Sequence, residues 1–400
     1  MSESSYFTQV TSESAFRSQL PQEAPDFGYL FKVGASSWSR QHLLACRVIC
    51  RPRRGIVLPL VANYNTFSGN QQWPMEMQRF INGPQIDHRN RSEHFLVRQY
   101  GASLGQVWAA LGKFMPLTTD QGGEEEQGGE EADDDGDERM EGSDDDRGQR
   151  TSKRTRRNTI QENFIDPTTA HFGSSSPIGS PSDEQSSKGS SAGYVASEGH
   201  SQRNAPTEDI TLRLATCVIR HILFFAPPQD SSELPLVVEY RDAKRAISVP
   251  ATKELKISAT DDGGLYLWND NDNMIQQPTL AILETKKRFH RVDDGRPVIV
   301  DECLAQMTGE ALAVRLAERS PDSFGDNSHV FIIHPTQNFI CFLQFDISNK
   351  YLDNIATGNQ TEFINVHVTP WYDLHDARGR KQIVANLCSI MAWSQPSSLN

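Results

Sequence analysis

The stretch 278–289, PTLAILETKKRF, decides how the second half of this chain is read. Its apolar run, residues 280–283, ends in a carboxylate and a lysine two positions apart, Glu284 and Lys286. Side chains alternate faces along a strand, so Glu284 and Lys286 project to the same side. A buried strand that finishes on an acid and a base needs a chemical reason, because a buried charge without a partner is costly.

Working outward, the preceding stretch 259–277 is ATDDGGLYLWNDNDNMIQQ. Its polar centre, 269–273, is the loop of a hairpin between apolar strands at 265–268 and 280–284. If the hairpin is symmetric about Asn273, Asp262 falls opposite Glu284 with its side chain on the same face. Asp262, Glu284 and Lys286 then converge. Two carboxylates placed together repel unless a cation neutralises them. A hard divalent ion such as Mg²⁺ takes oxygen ligands and keeps several waters. A lysine beside it orients or deprotonates a water, or stabilises charge on a phosphate.

The surrounding pattern predicts an α/β or α+β domain. A helix starts near Thr207 and stops before Pro227-Pro228. Strands follow at 236–241, 246–249, 255–259, 265–268 and 280–284. A helix at 301–318 carries Leu304, Met307, Ala311 and Val314 on one face. Strands at 330–334 and 339–345 are joined by a tight turn, and a strand at 363–369 precedes a closing helix at 378–393. Such an order lays helices against a sheet.

An acid, about twenty residues, then Glu-x-Lys on a hairpin between two helices resembles the PD-(D/E)xK phosphodiesterase superfamily. The resemblance spans roughly 207–394. Within it, DDGGLYLW, AILETKKRF and VDECLAQMTGEALAVRL are similar to uncharacterised fungal members. It implies a restriction-endonuclease-like mixed sheet flanked by helices, and a metal-dependent nuclease-like activity using Mg²⁺. By the resemblance, Asp262 and Glu284 bind the metal, Lys286 positions the attacking water, and Gln306 orients the lysine or a phosphate. Glu310 lies one turn beyond Gln306. The leading helix often supplies a further acid, for which Glu208 and Asp209 are candidates. The pattern departs from the family in lacking a proline before the acid, so Asp261 and Asp262 both remain candidate ligands. Inactive members of the superfamily imply the alternative, a nuclease-fold module that binds a protein or nucleic-acid partner without catalysis.

The rest of the 400 residues frames this unit. Residues 1–26 are polar and predict disorder, with no apolar core of a secretory signal. Residues 27–116 are partly helical and either pack on the core or form a small separate domain. RSEHFLVRQYGASLGQVWAALGKFM (91–115) reads as a helix after Ser92 or as strand-turn-helix around Gly101–Gly105, and IVLPLV (56–61) as a short strand. Residues 117–206 carry too little apolar surface to offset ordering entropy and predict a disordered insert. Of the net charge of -13, all resides between Asp120 and Arg147, so the low pI describes the insert and not the folded surface. The acidic run is a candidate protein-binding segment, and KRTRR (153–157) a candidate nuclear-import signal. Residues 395–400 are a tail. No apolar run reaches about 18 residues, so no membrane span is expected. The 6 cysteines show no zinc spacing, and Cys217, Cys303, Cys341 and Cys388, each in an apolar stretch, read as reduced core thiols of an intracellular chain.

Two further signals compete. GASLG (101–105) matches G-x-S-x-G, the elbow that exposes a nucleophilic serine, but the preceding HFLVRQY is too polar for a central parallel strand. A helix with two glycines, or a loop between helices, is the plainer reading of Ser103 and its neighbours. The histidines at 290, 329, 334, 367 and 375 lack metal-ligand spacing. Trp371 and Tyr372 would either stack on nucleic acid or pack against the closing helix.

Overall fold

The computed structural model describes residues 5–20, 32–52, 55–65, 73–114, 207–231, 234–251, 255–293, 296–319, 328–357 and 360–395. The acidic run, KRTRR and the disorder expected across 117–206 lie outside these residues, as does most of the C-terminal tail.

Composition predicts no order before residue 27, and residues 5–20 correct this. They form helices α1 (Tyr6–Gln9) and α2 (Glu13–Gln19), each opened by a serine side chain that accepts a helix amide. Tyr6, Val10 and Phe16 have no exposed surface, and the Tyr6 hydroxyl donates to Val48 O at 2.7 Å. A few well-placed aromatics supply the buried area that average polarity hides.

Helix α3 (Arg40–Ala45) leads into strand β1 (Val48–Cys50). Where IVLPLV suggests a strand, a 3-10 turn runs Pro59–Tyr64, since Pro59 has no amide for a ladder and suits a helical first turn. Helix α4 (Met75–Asn82) follows, then α5 (Glu93–Tyr100) and α6 (Ala102–Leu111). The latter two meet at Gly101, whose φ of +84° turns the chain sharply. The helix after Ser92 is therefore the correct alternative, and the segment leading directly into Ser103 is a helix and not a strand. Helix α7 (Glu208–Phe225) starts after Thr207.

The C-terminal half then runs β2 (Leu236–Arg241), β3 (Ala246–Pro250), β4 (Lys256–Thr260), β5 (Gly263–Asn269) and β6 (Met274–Leu283). A short hairpin, β7 (Val292–Asp293) and β8 (Arg296–Pro297), precedes α8 (Asp301–Ala317). Strands β9 (His329–Thr336) and β10 (Phe339–Asp346) come next, then α9 (Asn349–Thr357), β11 (Ile364–Val368), β12 (Tyr372–Asp373) and α10 (Ala377–Ser394).

One mixed eight-stranded sheet unites these pieces in the order β1-β11-β10-β9-β6-β5-β2, with β12 on β10. Strands β2, β5 and β6 form an antiparallel meander, and β6 pairs in parallel with β9 through the α8 crossover. The β3–β4 hairpin stands apart as its own two-stranded sheet. Strand β1 pairs in parallel with β11, so the N-terminal region completes the sheet and is no separate domain.

Alternation divides the core in two. Ile282, Ile332, Cys341, Leu343 and Val366 face α8, while Ala281, Leu283, Ile333 and Phe342 face α7 and α10. Helix α8 is buried on more than the face its periodicity marks: Cys303, Ala305, Thr308 and Leu312 are also within. The sheet lies on one side, and Ala35, Trp38 and the β3–β4 hairpin lie on the other. Gly309 permits this, because a Cβ there would stand 2.6 Å from the Ala35 Cβ.

Candidate functional site

The hairpin register brings the acidic residues to one sheet end. Gly263 pairs with Leu283, so Asp262 stands beside Glu284. The tip pairs Asn269 with Met274, and bulges between Leu265 and Trp268 absorb the extra residues of β6. The strand path continues past Leu283. The Glu284 amide donates to Ile333 O and the Lys286 amide to Pro335 O, both at 3.0 Å, toward β9. Glu284 and Lys286 thereby stay on the α8 face.

The intervening Thr285 amide points the other way, toward β5. Asp262 Oδ2 accepts it at 2.9 Å and also accepts the Thr285 hydroxyl. The carboxylate thus takes the place of the next ladder carbonyl, as the chain at Asp261 turns aside to donate to Arg245 O. This separates the two candidate acids. Asp261 gives both oxygens to the Arg241 guanidinium, at 2.7 and 3.1 Å, and accepts the Arg245 amide. It is a structural lock. Asp262 keeps its other oxygen, Oδ1, toward Lys244 Nζ at 2.8 Å.

On the α8 face, Glu284 Oε1 accepts from Lys286 Nζ and from Gln306 Nε2, each at 2.6 Å. The Gln306 amide oxygen accepts from Lys286 at 3.0 Å, closing a ring of three side chains. Gln306 also donates to Glu310 Oε1 at 2.9 Å, and Glu310 Oε2 is buried without a hydrogen bond. Behind the strand, His334 Nδ1 lies 2.7 Å from Glu284 O, which can only accept, so that nitrogen carries the proton. Its Nε2 then faces the Cys303 thiol of α8 at 3.5 Å. Burial pushes the His334 ring down to about 4 and the Cys303 thiol up to about 12, so both are neutral supports.

The charges do not balance among protein groups. Burial raises Glu284 and Glu310 above the usual carboxylate range. Burial likewise raises Glu208, at the start of α7, with Lys286 and Lys244 opposing. Burial would lower Lys286, but the Glu284 carboxylate outweighs it and holds the lysine protonated. Burial would raise Asp262, but hydrogen bonds from Lys244 and Thr285 outweigh it and keep it ionised. Four carboxyl groups thus lie around two ammonium groups, and burial favours the protonated form of Glu284, Glu310 and Glu208.

Among the described residues no three His, Cys, Asp or Glu side chains are arranged to hold a metal by themselves. That excludes a closed all-protein cage here. Asp262 and Glu284 offer carboxylate oxygens only to a cation that takes one or two of them and retains its waters.

The sequence reading names Asp262, Glu284, Lys286, Gln306, Glu310 and Glu208, which the structure gathers, and Asp209, which it leaves exposed to solvent. That reading misses Thr285, the middle residue of Glu-x-Lys itself, and Lys244, His334 and Cys303, which carry no motif and come from other segments. The remaining signals resolve as structure. Ser103 Oγ lies 3.0 Å from His221 Nδ1, yet no carboxylate bonds the other ring nitrogen among the described residues, and a helix rather than a strand leads to Ser103. Trp371 packs on Phe289 and His334, and Tyr372 joins the α10 core, so neither presents a free stacking face. His329 and His367 both contact Asp346, at 2.7 and 3.2 Å. Among the described residues the cysteines form no disulfide, and all are buried except the half-buried Cys217. No helix among the described residues is long and apolar enough to cross a membrane.

No family model matches the chain, and no curated protein matches it either.

Proposed function

We propose that the end of β6 is the centre of a metal-dependent, nuclease-like phosphodiesterase of the PD-(D/E)xK kind. One observation carries this: Glu284, Lys286 and Gln306 close a ring beside Asp262, at the end of a β2–β5–β6 meander crossed by α8. The succession α7, β2, β5, β6, α8, β9 supports a restriction-endonuclease-like core.

Asp262 and Glu284 are the residues that would hold Mg²⁺. Such an ion supplies Lewis-acid polarisation of a phosphoryl oxygen and offsets its charge. Lys286 acts as a protonated donor, because Glu284 stabilises its ammonium. It orients a water or a phosphate oxygen and is no general base in this state. Gln306 fixes the ammonium through its carbonyl and Glu284 through its amide, which removes rotamer freedom from both groups. Thr285 holds Asp262 in place, and His334 holds the Glu284 backbone.

The alternative is a non-catalytic module of the same fold that binds a protein or nucleic-acid partner. It is favoured by the 2% exposure of Glu284, whose carboxylate Lys286 and Gln306 already satisfy.

Incubating the full chain with single-stranded and duplex DNA and RNA, with Mg²⁺ or Mn²⁺, separates the two. The catalytic reading expects cleavage that EDTA abolishes and that Lys286→Met and Glu284→Gln reduce at least about 100-fold. Cleavage that persists in both variants, or none with any substrate, discards it.

A further inference from the structure

Lys244 stands where the charges of the site converge. Its ammonium is 2.8 Å from Asp262 Oδ1 and feels the carboxylates of Glu208 and Glu284 as well. The two oxygens of Asp262 are held in different ways. Oδ2 is fixed by the amide and hydroxyl of Thr285, which has no exposed surface. Oδ1 is held by a lysine whose side chain is 60% exposed and hangs from the connection between β2 and β3.

Asp261 supplies the contrast. Its partner Arg241 grips both oxygens, and the two side chains are 20% and 3% exposed. A two-pronged guanidinium on a buried carboxylate is architecture. An exposed lysine on a single oxygen is not: it gives up rotamer freedom, and salt and water screen the pair. An ammonium and a divalent cation also seek the same carboxylate lone pairs, so the two exclude one another at Oδ1.

We propose that Lys244 is a positioning residue, a displaceable counter-ion that holds the outer oxygen of Asp262 until a divalent cation exchanges for it. This inference rests on the metal reading above. Lys244 holds Oδ1 of Asp262 in place in the cation-free protein, and its competition sets the concentration at which the ion enters. The exchange frees an ammonium at the rim of the site.

Titration of the full chain with Mn²⁺ by calorimetry tests this, using wild type, Lys244→Met, Lys244→Gln and Lys244→Arg, with Asp262→Asn as the site control. The expected result is Mn²⁺ binding about tenfold tighter in Lys244→Met and Lys244→Gln, the effect of removing one positive charge close to the ion. Lys244→Arg stays at or below wild-type affinity, and Asp262→Asn loses binding. A merely structural lysine would change affinity in the opposite direction, because its loss would loosen Asp262. Equal or weaker binding in the neutral variants overturns the proposal and leaves the metal reading standing. Absence of Mn²⁺ binding at millimolar concentration in wild type and neutral variants alike overturns both.

Discussion

Glu284 and Lys286 meet at 2.6 Å on the α8 side of the sheet, with 3% and 20% of their side chains exposed. A pair this deep is sensitive to removal of one member only. Lys286→Met leaves the Glu284 carboxylate without its cation and is expected to destabilise the protein by about 3 kcal/mol. The double variant Glu284→Gln, Lys286→Met removes the stranded charge and recovers much of that loss. Urea unfolding of the wild type, both single variants and the double variant measures the coupling. Additive losses would show that the two side chains do not depend on one another.

The N-terminal helices are part of the fold. Phe16 is fully buried, sits edge-on to Phe363 at 5.3 Å, and lies under the Arg47 guanidinium. Phe16→Ala should cost about 3–5 kcal/mol through lost transfer energy and the cavity left behind. Thermal unfolding reads this directly, and a change below about 0.5 kcal/mol would mean that residues 5–20 do not dock as described.

Gly105 explains much of the G-x-S-x-G match. A Cβ at this position would lie 2.5 Å from Val97 Cα, in the backbone of α5. The glycine is there to let two consecutive helices touch. Gly105→Ala should destabilise by about 1–3 kcal/mol despite alanine's better helix propensity. Stabilisation by the alanine, seen as a raised melting temperature, would contradict the close approach.

Acid should weaken the fold through its buried histidines. Burial pushes His88, His221 and His334 down to about 4 each. A histidine with a depressed folded-state value contributes stability that is full above its unfolded value near 6.5 and is lost as pH falls toward 4. Raised glutamates such as Glu284 and Glu318 act with the opposite sign over an overlapping range. The difference between wild type and His221→Gln isolates one ring. It should shrink by roughly 1.4 kcal/mol per pH unit between about 6 and 5, followed by urea unfolding. A pH-independent difference would show that His221 titrates normally.

Local pattern determined a good part of this protein. The apolar run before Glu284, the polar loop before it and the helix starts at Thr207 and Asp301 are short-range signals, and a hairpin transmits register over few residues. That is why Asp262 falls beside Glu284, although bulges rather than a symmetric turn produce the match. Gln306 was legible only through the resemblance, which places a glutamine on the helix that follows Glu-x-Lys.

Tertiary structure alone decided the rest. How Asp261 and Asp262 differ depends on Arg241, at the end of β2, and on Lys244, in the connection that follows it. That β1 completes the sheet depends on a pairing with β11 more than three hundred positions away. Burial of Tyr6 and Phe16 in a polar segment depends on surfaces that α8, β1 and β11 build only once folded. Contacts of this kind join residues far apart in the chain, so no periodicity or spacing encodes them. Their energy comes from area and charge that exist only after the sheet has closed.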